Sequence, residues 1–168
     1  MRYLGKDAGH LNIKAISGLL EDTVEIDDLF YYNSTNYTST QTNSIQLPTG
    51  DFEISFEIKP TTRSTSYANV NIGTNDNNRI MIGQAGSDGS LFLQIKKNSN
   101  ILISQATSTK APTTNYSLVK YSYVNGLHTF IGLNNETITY TDSTADRSII
   151  FKIDIAGNNL KNLKIHKL

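Results

Sequence analysis

At 168 residues the chain is long enough for one domain that buries roughly 70% of the surface its unfolded form exposes, so a core needs neither disulfide nor metal. It has no Cys, which removes disulfides, thiol catalysis and thiolate metal sites together. Its 15 basic and 15 acidic residues cancel and are scattered, leaving no electrostatic basis for binding nucleic acid or an anionic membrane.

The longest apolar runs are a few residues, far short of a membrane span, and no apolar segment follows Met1-Arg2 as a signal peptide would require. The polar residues are unusual in kind. There are 18 Asn, 16 Ser and 19 Thr against only 18% charged residues, a surface of amides and hydroxyls that makes hydrogen bonds without strong fields. Exported, adhesive and virion proteins share that style, and an AT-rich genome would inflate Asn in the same way. The two explanations weigh equally.

Residues 1–22 read as a lead-in. Ile13, Ile16, Leu20 and Val24 recur at helical spacing, but Gly18 interrupts them, so the segment is expected to be at most a short helix or a linker. The domain proper is expected over 23–168, opening with a strand near Val24 to Tyr32. From Phe52 to Lys59 apolar and polar residues then alternate without a miss. Phe52, Ile54, Phe56 and Ile58 share one face, Glu53, Ser55, Glu57 and Lys59 the other, and Pro60 ends the run.

Other strands are expected at Ser44–Leu47, Tyr67–Ile72, Arg79–Gln84, Ser90–Lys96, Ile101–Ala106 and Tyr116–Val124. They continue at Leu127–Leu133, Glu136–Tyr140, Ser148–Ile153 and Asn162–Lys167. Between them stand Pro48-Thr49-Gly50, a loop from Gly73 to Asn78, Gly86-Ser87-Asp88-Gly89, Asn98-Ser99-Asn100, Asn125-Gly126 and Asn134-Asn135. Gly, Asn and Asp tolerate the left-handed backbone of tight hairpins, and Asn125-Gly126 is the clearest such signal. The class is all-β, a sandwich of two antiparallel sheets.

Read in order, the pieces resemble the concanavalin A-like jelly roll, particularly its laminin G-like and pentraxin-like domains. The resemblance rests on Phe52 to Pro60, on Tyr116 followed by Val119, Tyr121 and Tyr123, on Asn125-Gly126, and on Thr129, Ile131 and Leu133 before Asn134-Asn135. It also draws on Arg79–Gln84 with Leu91 to Ile95, and on Leu160 to Ile165 as the closing strand. Tyr116 stands where Trp is usual, and Asn135 where Gly is common. The resemblance implies the fold over residues 30 to 168. It implies little about function, because such folds serve as lectins, glycosidases and structural domains.

Catalysis is not expected. Laminarinase-type enzymes of this fold place carboxylates in a Glu-x-Asp-x-x-Glu pattern, and here Ser55 stands between Glu53 and Glu57. Four residues along a strand separate those two by about 13 Å, beyond the spacing of glycosidase pairs. They read as solvated glutamates. His10, His128 and His166 are too dispersed for a triad or a metal site and read as surface or partly buried structural residues. Asn75, Asp76, Asn77 and Asn78 make an oxygen-rich loop with Asp88 in the next turn, but one carboxylate among amides suits turn formation better than calcium.

Nine Tyr and no Trp suggest that rings near loops, at Tyr31, Tyr32, Tyr37 and Tyr67, stack on sugars, while Tyr121 and Tyr123 belong to the core. The expected ligand contacts are Tyr37, Tyr67, Asn75, Asp76 and Asn78, with no cofactor and no metal. The expected function is a binding or adhesion module, chiefly for glycan, on an extracellular, cell-surface or phage-type protein. The alternative is a structural domain contacting protein subunits of a virion or surface assembly, and a glycoside hydrolase is a distant third.

Overall fold

A computed structural model describes residues 29–34, 41–60, 69–84, 89–143, 152–156 and 159–168. The lead-in, the 22/23 boundary, His10, Tyr37, Tyr67 and Asp88 lie outside the described residues. The described strands are β1 (Leu29–Asn33), β2 (Gln41–Gln46), β3 (Phe52–Ile58), β4 (Asn69–Asn75), β5 (Asn78–Gln84) and β6 (Ser90–Lys97). They continue as β7 (Asn100–Lys110), β8 (Ser117–Val124), β9 (Leu127–Ile131), β10 (Thr137–Thr141), β11 (Lys152–Ala156) and β12 (Leu160–Lys167).

They form two antiparallel six-stranded sheets, in the orders β1-β12-β3-β8-β9-β10 and β2-β11-β4-β5-β6-β7. This is the jelly-roll sandwich that the alternating pattern predicts. Phe52, Ile54, Phe56 and Ile58 are all at most 1% exposed, facing Val70, Ile72, Ile80, Ile82, Leu91, Leu93 and Ile95 from the other sheet. Burying each such side chain contributes about 1.5–3 kcal/mol, and the interdigitating faces make one core. Tyr121 and Tyr123 lie in it as expected, with Phe52 at ring-centroid distances of 6.1 and 6.0 Å.

The turns follow their residues. Asn125 and Gly126 both have positive φ (45° and 85°), as a two-residue hairpin matching strand twist requires, and Asn125 N–H donates to Asp51 Oδ1 at 3.0 Å. The Gly73–Asn78 stretch is a correction. It is not an open loop: β4 runs to Asn75, and only Asp76 and Asn77 turn. Asn75 Oδ1 accepts the N–H groups of Asn77 and Asn78 at 2.9 and 3.2 Å, a local bond that tightens the turn.

Strand β7 is longer than expected. It runs on through Thr107–Lys110, where apolar alternation fails and side-chain bonds hold the backbone instead. Thr107 Oγ1 accepts Leu91 N–H at 3.1 Å, and the carboxylate of Glu136 accepts Ser108 and Thr109 N–H at 2.6 and 2.8 Å. His128 is also a correction: it is 2% exposed, because its position in β9 alternates inward with Phe130.

Candidate functional site

In β4, Val70 and Ile72 point into the core, so Asn69 and Asn71 point to the outer face of the second sheet. Register extends this face across four strands. Asn71 stands beside Met81, Met81 beside Gln94, and Gln94 beside Ser104. The adjacent row runs Asn69, Gly83, Phe92, Ala106, and on the other side lie Gly73, Arg79, Lys96 and Ile101. Gly83 contributes no side chain at the centre of its row, and Phe92, only 8% exposed though it faces away from the core, lies beside it.

Part of this face is an open groove of about 510 Å³, lined by Asn69, Arg79, Met81, Phe92, Gln94 and Ser104 among others, with Asn71 beside it by register. Its lining mixes the apolar side chains of Met81, Phe92 and Ala106 with amides, a hydroxyl and the Arg79 guanidinium. Gln94 Nε2 donates to Ser104 Oγ at 3.3 Å, which holds that side of the lining. On the other side, Asn69 Oδ1, Asn71 Oδ1 and Arg79 Nε are buried and have no hydrogen-bond partner among the described residues. A buried polar atom left without a partner costs about 1–3 kcal/mol, so two acceptors and one donor are unspent here. No carboxylate stands among the described residues that line the groove.

Of the residues expected from sequence to touch a ligand, Asn75, Asp76 and Asn78 come together at the β4–β5 hairpin end, beside this face. Asn75 is committed to its own turn, and Asn78 Oδ1 accepts Asn98 N–H at 2.8 Å. Asp76 reaches the groove through Arg79, whose Nη1 donates to its Oδ1 at 2.8 Å. Tyr37 and Tyr67 lie outside the described residues. Tyr32 is 50% exposed on β1, in the other sheet, where the Lys164 ammonium lies 5.6 Å from its ring centroid.

Glu53 and Glu57 are also on that other sheet, away from the groove. Glu53 pairs with Lys120 at 3.0 Å, and Glu57 with Lys161 at 3.2 Å. The Asn162 amide, donating to Glu57 at 2.6 Å, holds that carboxyl below the usual carboxylate range with help from Lys161. The lowered carboxyl of Glu57 is the opposite of what a general acid needs. Among the described residues no three His, Asp or Glu side chains converge as a metal site.

No protein-family model matches the chain, and comparison with curated proteins finds no sequence match. Solved structures do resemble it. The fold is similar to Caenorhabditis elegans galectin LEC-6 (TM-score 0.57, 12% identity, 83% of this chain and 94% of that one). It is also similar to chicken galectin 2 (TM-score 0.52, 10% identity, 82% and 99%) and to CG-16, a homodimeric agglutinin from chicken liver (0.50, 9%, 78% and 99%). The likeness supports the two-sheet jelly-roll sandwich read from the sequence, and these galectin neighbours do not confirm the laminin G-like or pentraxin-like resemblance.

Proposed function

We propose that this chain is a non-catalytic carbohydrate-binding module that holds a saccharide in the groove on the second sheet. The observation that carries the reading is that Asn69 Oδ1 and Arg79 Nε in the groove lining, and Asn71 Oδ1 beside it, are buried without a partner among the described residues, next to Met81 and Phe92. A sugar hydroxyl both donates and accepts, so neighbouring hydroxyls on one ring satisfy acceptors and donor together. The ring's apolar face suits Met81 and Phe92. The agglutinin among the fold neighbours adds support at the level of fold alone. One shallow groove binds a single saccharide weakly, and several copies on one surface supply useful strength. Display on a cell, secreted or virion surface suits that use.

A glycan array probed with a multivalent form of the chain tests this. Binding to a defined set of saccharides is expected, weakened about tenfold or more by Asn71→Ala and unchanged by Thr139→Ala on the other sheet. Tyr37→Ala and Tyr67→Ala, with Asn75→Ala and Asn78→Ala, ask in the same assay whether the residues expected from sequence extend the site. Absence of binding to any glycan, with capture of a defined protein subunit, transfers the reading to an assembly domain.

A further inference from the structure

We propose that the saccharide held in this groove is acidic, with a carboxylate or sulfate ester seated on Arg79. The inference rests on the carbohydrate-binding reading and names the ligand class within it. The guanidinium offers two forks, an end-on pair and a side-on pair made by Nε–H and the nitrogen syn to it. Asp76 occupies Nη1, which lies outside the side-on pair, and the Nε–H is buried with no partner among the described residues. That side-on fork matches the two oxygens of a carboxylate or sulfate in a single plane.

Charge around it agrees. Lys96 is the direct cross-strand neighbour of Arg79, so two cationic side chains stem from adjacent positions on one face. Like charges directly opposite in a sheet repel, and an anion placed between them turns that cost into attraction. Asp76 offsets little of it: its side chain is 90% exposed and its pairing with Arg79 is correspondingly weak. No carboxylate lines the groove among the described residues, and the acidic position nearest by register on this face, Asp154 of β11, stands opposite Asn71, two strands from Arg79 and in the next outward row. The neutral amides of Asn69, Asn71 and Gln94 then take the hydroxyls, and Arg79 takes the acid.

Matched pairs test the proposal: a uronic-acid oligosaccharide with its carboxyl-reduced counterpart, and a sulfated oligosaccharide with its desulfated one. Titration calorimetry at low salt should show the acidic member binding about tenfold tighter in at least one pair, with the gap narrowing as salt rises. The pair that shows the gap identifies the anion. Arg79→Gln should bring the acid-to-neutral ratio to about one. Arg79→Lys, which keeps the charge and loses the fork, should lower the ratio partway, and Asp76→Asn, which removes a weakly opposing exposed charge, should raise it only slightly. Melting curves check that each variant folds. Equal binding within both pairs, or a gap that survives Arg79→Gln, overturns the acidic assignment while leaving the carbohydrate reading intact. Failure of all four saccharides, with no binding on the full array, takes down both.

Discussion

The phenolic oxygen of Tyr121 lies 2.8 Å from Nδ1 of His128, inside the sandwich and closed off from solvent. Tyr123 meets the same imidazole edge-on at 5.0 Å between ring centroids, and Tyr140 lies tilted at 5.8 Å. Burial pushes the His128 pKa down to about 4 despite the opposing pull of Asp142. The ring is therefore neutral at pH 7, and its Nδ1 shares one hydrogen bond with the Tyr121 hydroxyl. A histidine in this setting is a polar core residue, joining β8 to β9 by a hydrogen bond across the hairpin.

A pH dependence follows. The folded pKa lies below the ordinary value of 6.5, so the unfolded chain binds the proton more readily. The stability this residue confers is complete above pH 6.5 and is lost as pH falls through the window from 6.5 to 4. The loss is on the order of 3 kcal/mol. Denaturant titrations at half-unit pH steps should show it, and His128→Phe should flatten that window. A wild-type profile already flat between pH 6.5 and 4 refutes the buried neutral imidazole.

The core register yields a second test. Phe56 is 1% exposed, and its cross-strand partner Val119 is equally buried. Phe56→Ala removes a ring from a close-packed layer that cannot collapse from either side, at a cost of about 3–5 kcal/mol. Glu57→Gln on the same strand sits on the outer face and should cost far less, through a weakened bond to Lys161. Equal losses from the two variants would contradict the assigned faces.

A third prediction concerns the Asn125-Gly126 hairpin, where both residues occupy left-handed backbone. Gly126→Val puts a β-branched side chain at φ 85°, where only glycine is unstrained, and should destabilise by roughly 1–3 kcal/mol. Asn125→Gly keeps that backbone but changes the turn's entropy and should cost a few tenths of that. Chemical denaturation of both variants separates backbone strain from general loop disturbance.

Much of this architecture was legible because each strand carries its own instruction. Phe52 to Ile58 declares its faces by alternation alone, and Asn125-Gly126 declares its turn by backbone tolerance. The loop read at Gly73–Asn78 fails for a local reason: Asn75 bonds forward to Asn77 and Asn78, and a six-residue polar stretch becomes strand plus tight turn. The groove was hidden for a different reason. Asn69, Asn71, Arg79, Met81 and Gln94 are the outward remainders of three alternating strands, visible once the core positions are subtracted. Their meeting depends on the register between strands, which no single segment encodes. His128 was misjudged because a histidine's burial depends on the tyrosines brought around it by β8, β9 and β10.

The end of β7 supports the last prediction. This strand forms the edge of the second sheet, and an unpaired edge invites a neighbouring chain to add a strand. Glu136, in the connection just before β10, blocks part of it by accepting Ser108 and Thr109 N–H on its two carboxylate oxygens. Those backbone donors hold its carboxyl down to about pKa 2, so the clip is intact above the ordinary carboxylate range and is lost as pH falls from about 4.5 towards 2. Glu136→Gln replaces one acceptor with a donor that faces an N–H, so the clip should open even at neutral pH. Amide exchange at Ser108 and Thr109 should speed up about tenfold, with little change at Leu93 in the sheet interior. Light scattering should show greater self-association of the variant, and of the wild type below pH 3, as the freed edge pairs between molecules. Unaltered exchange at Ser108 and Thr109 in Glu136→Gln would mean that β6 alone holds the strand.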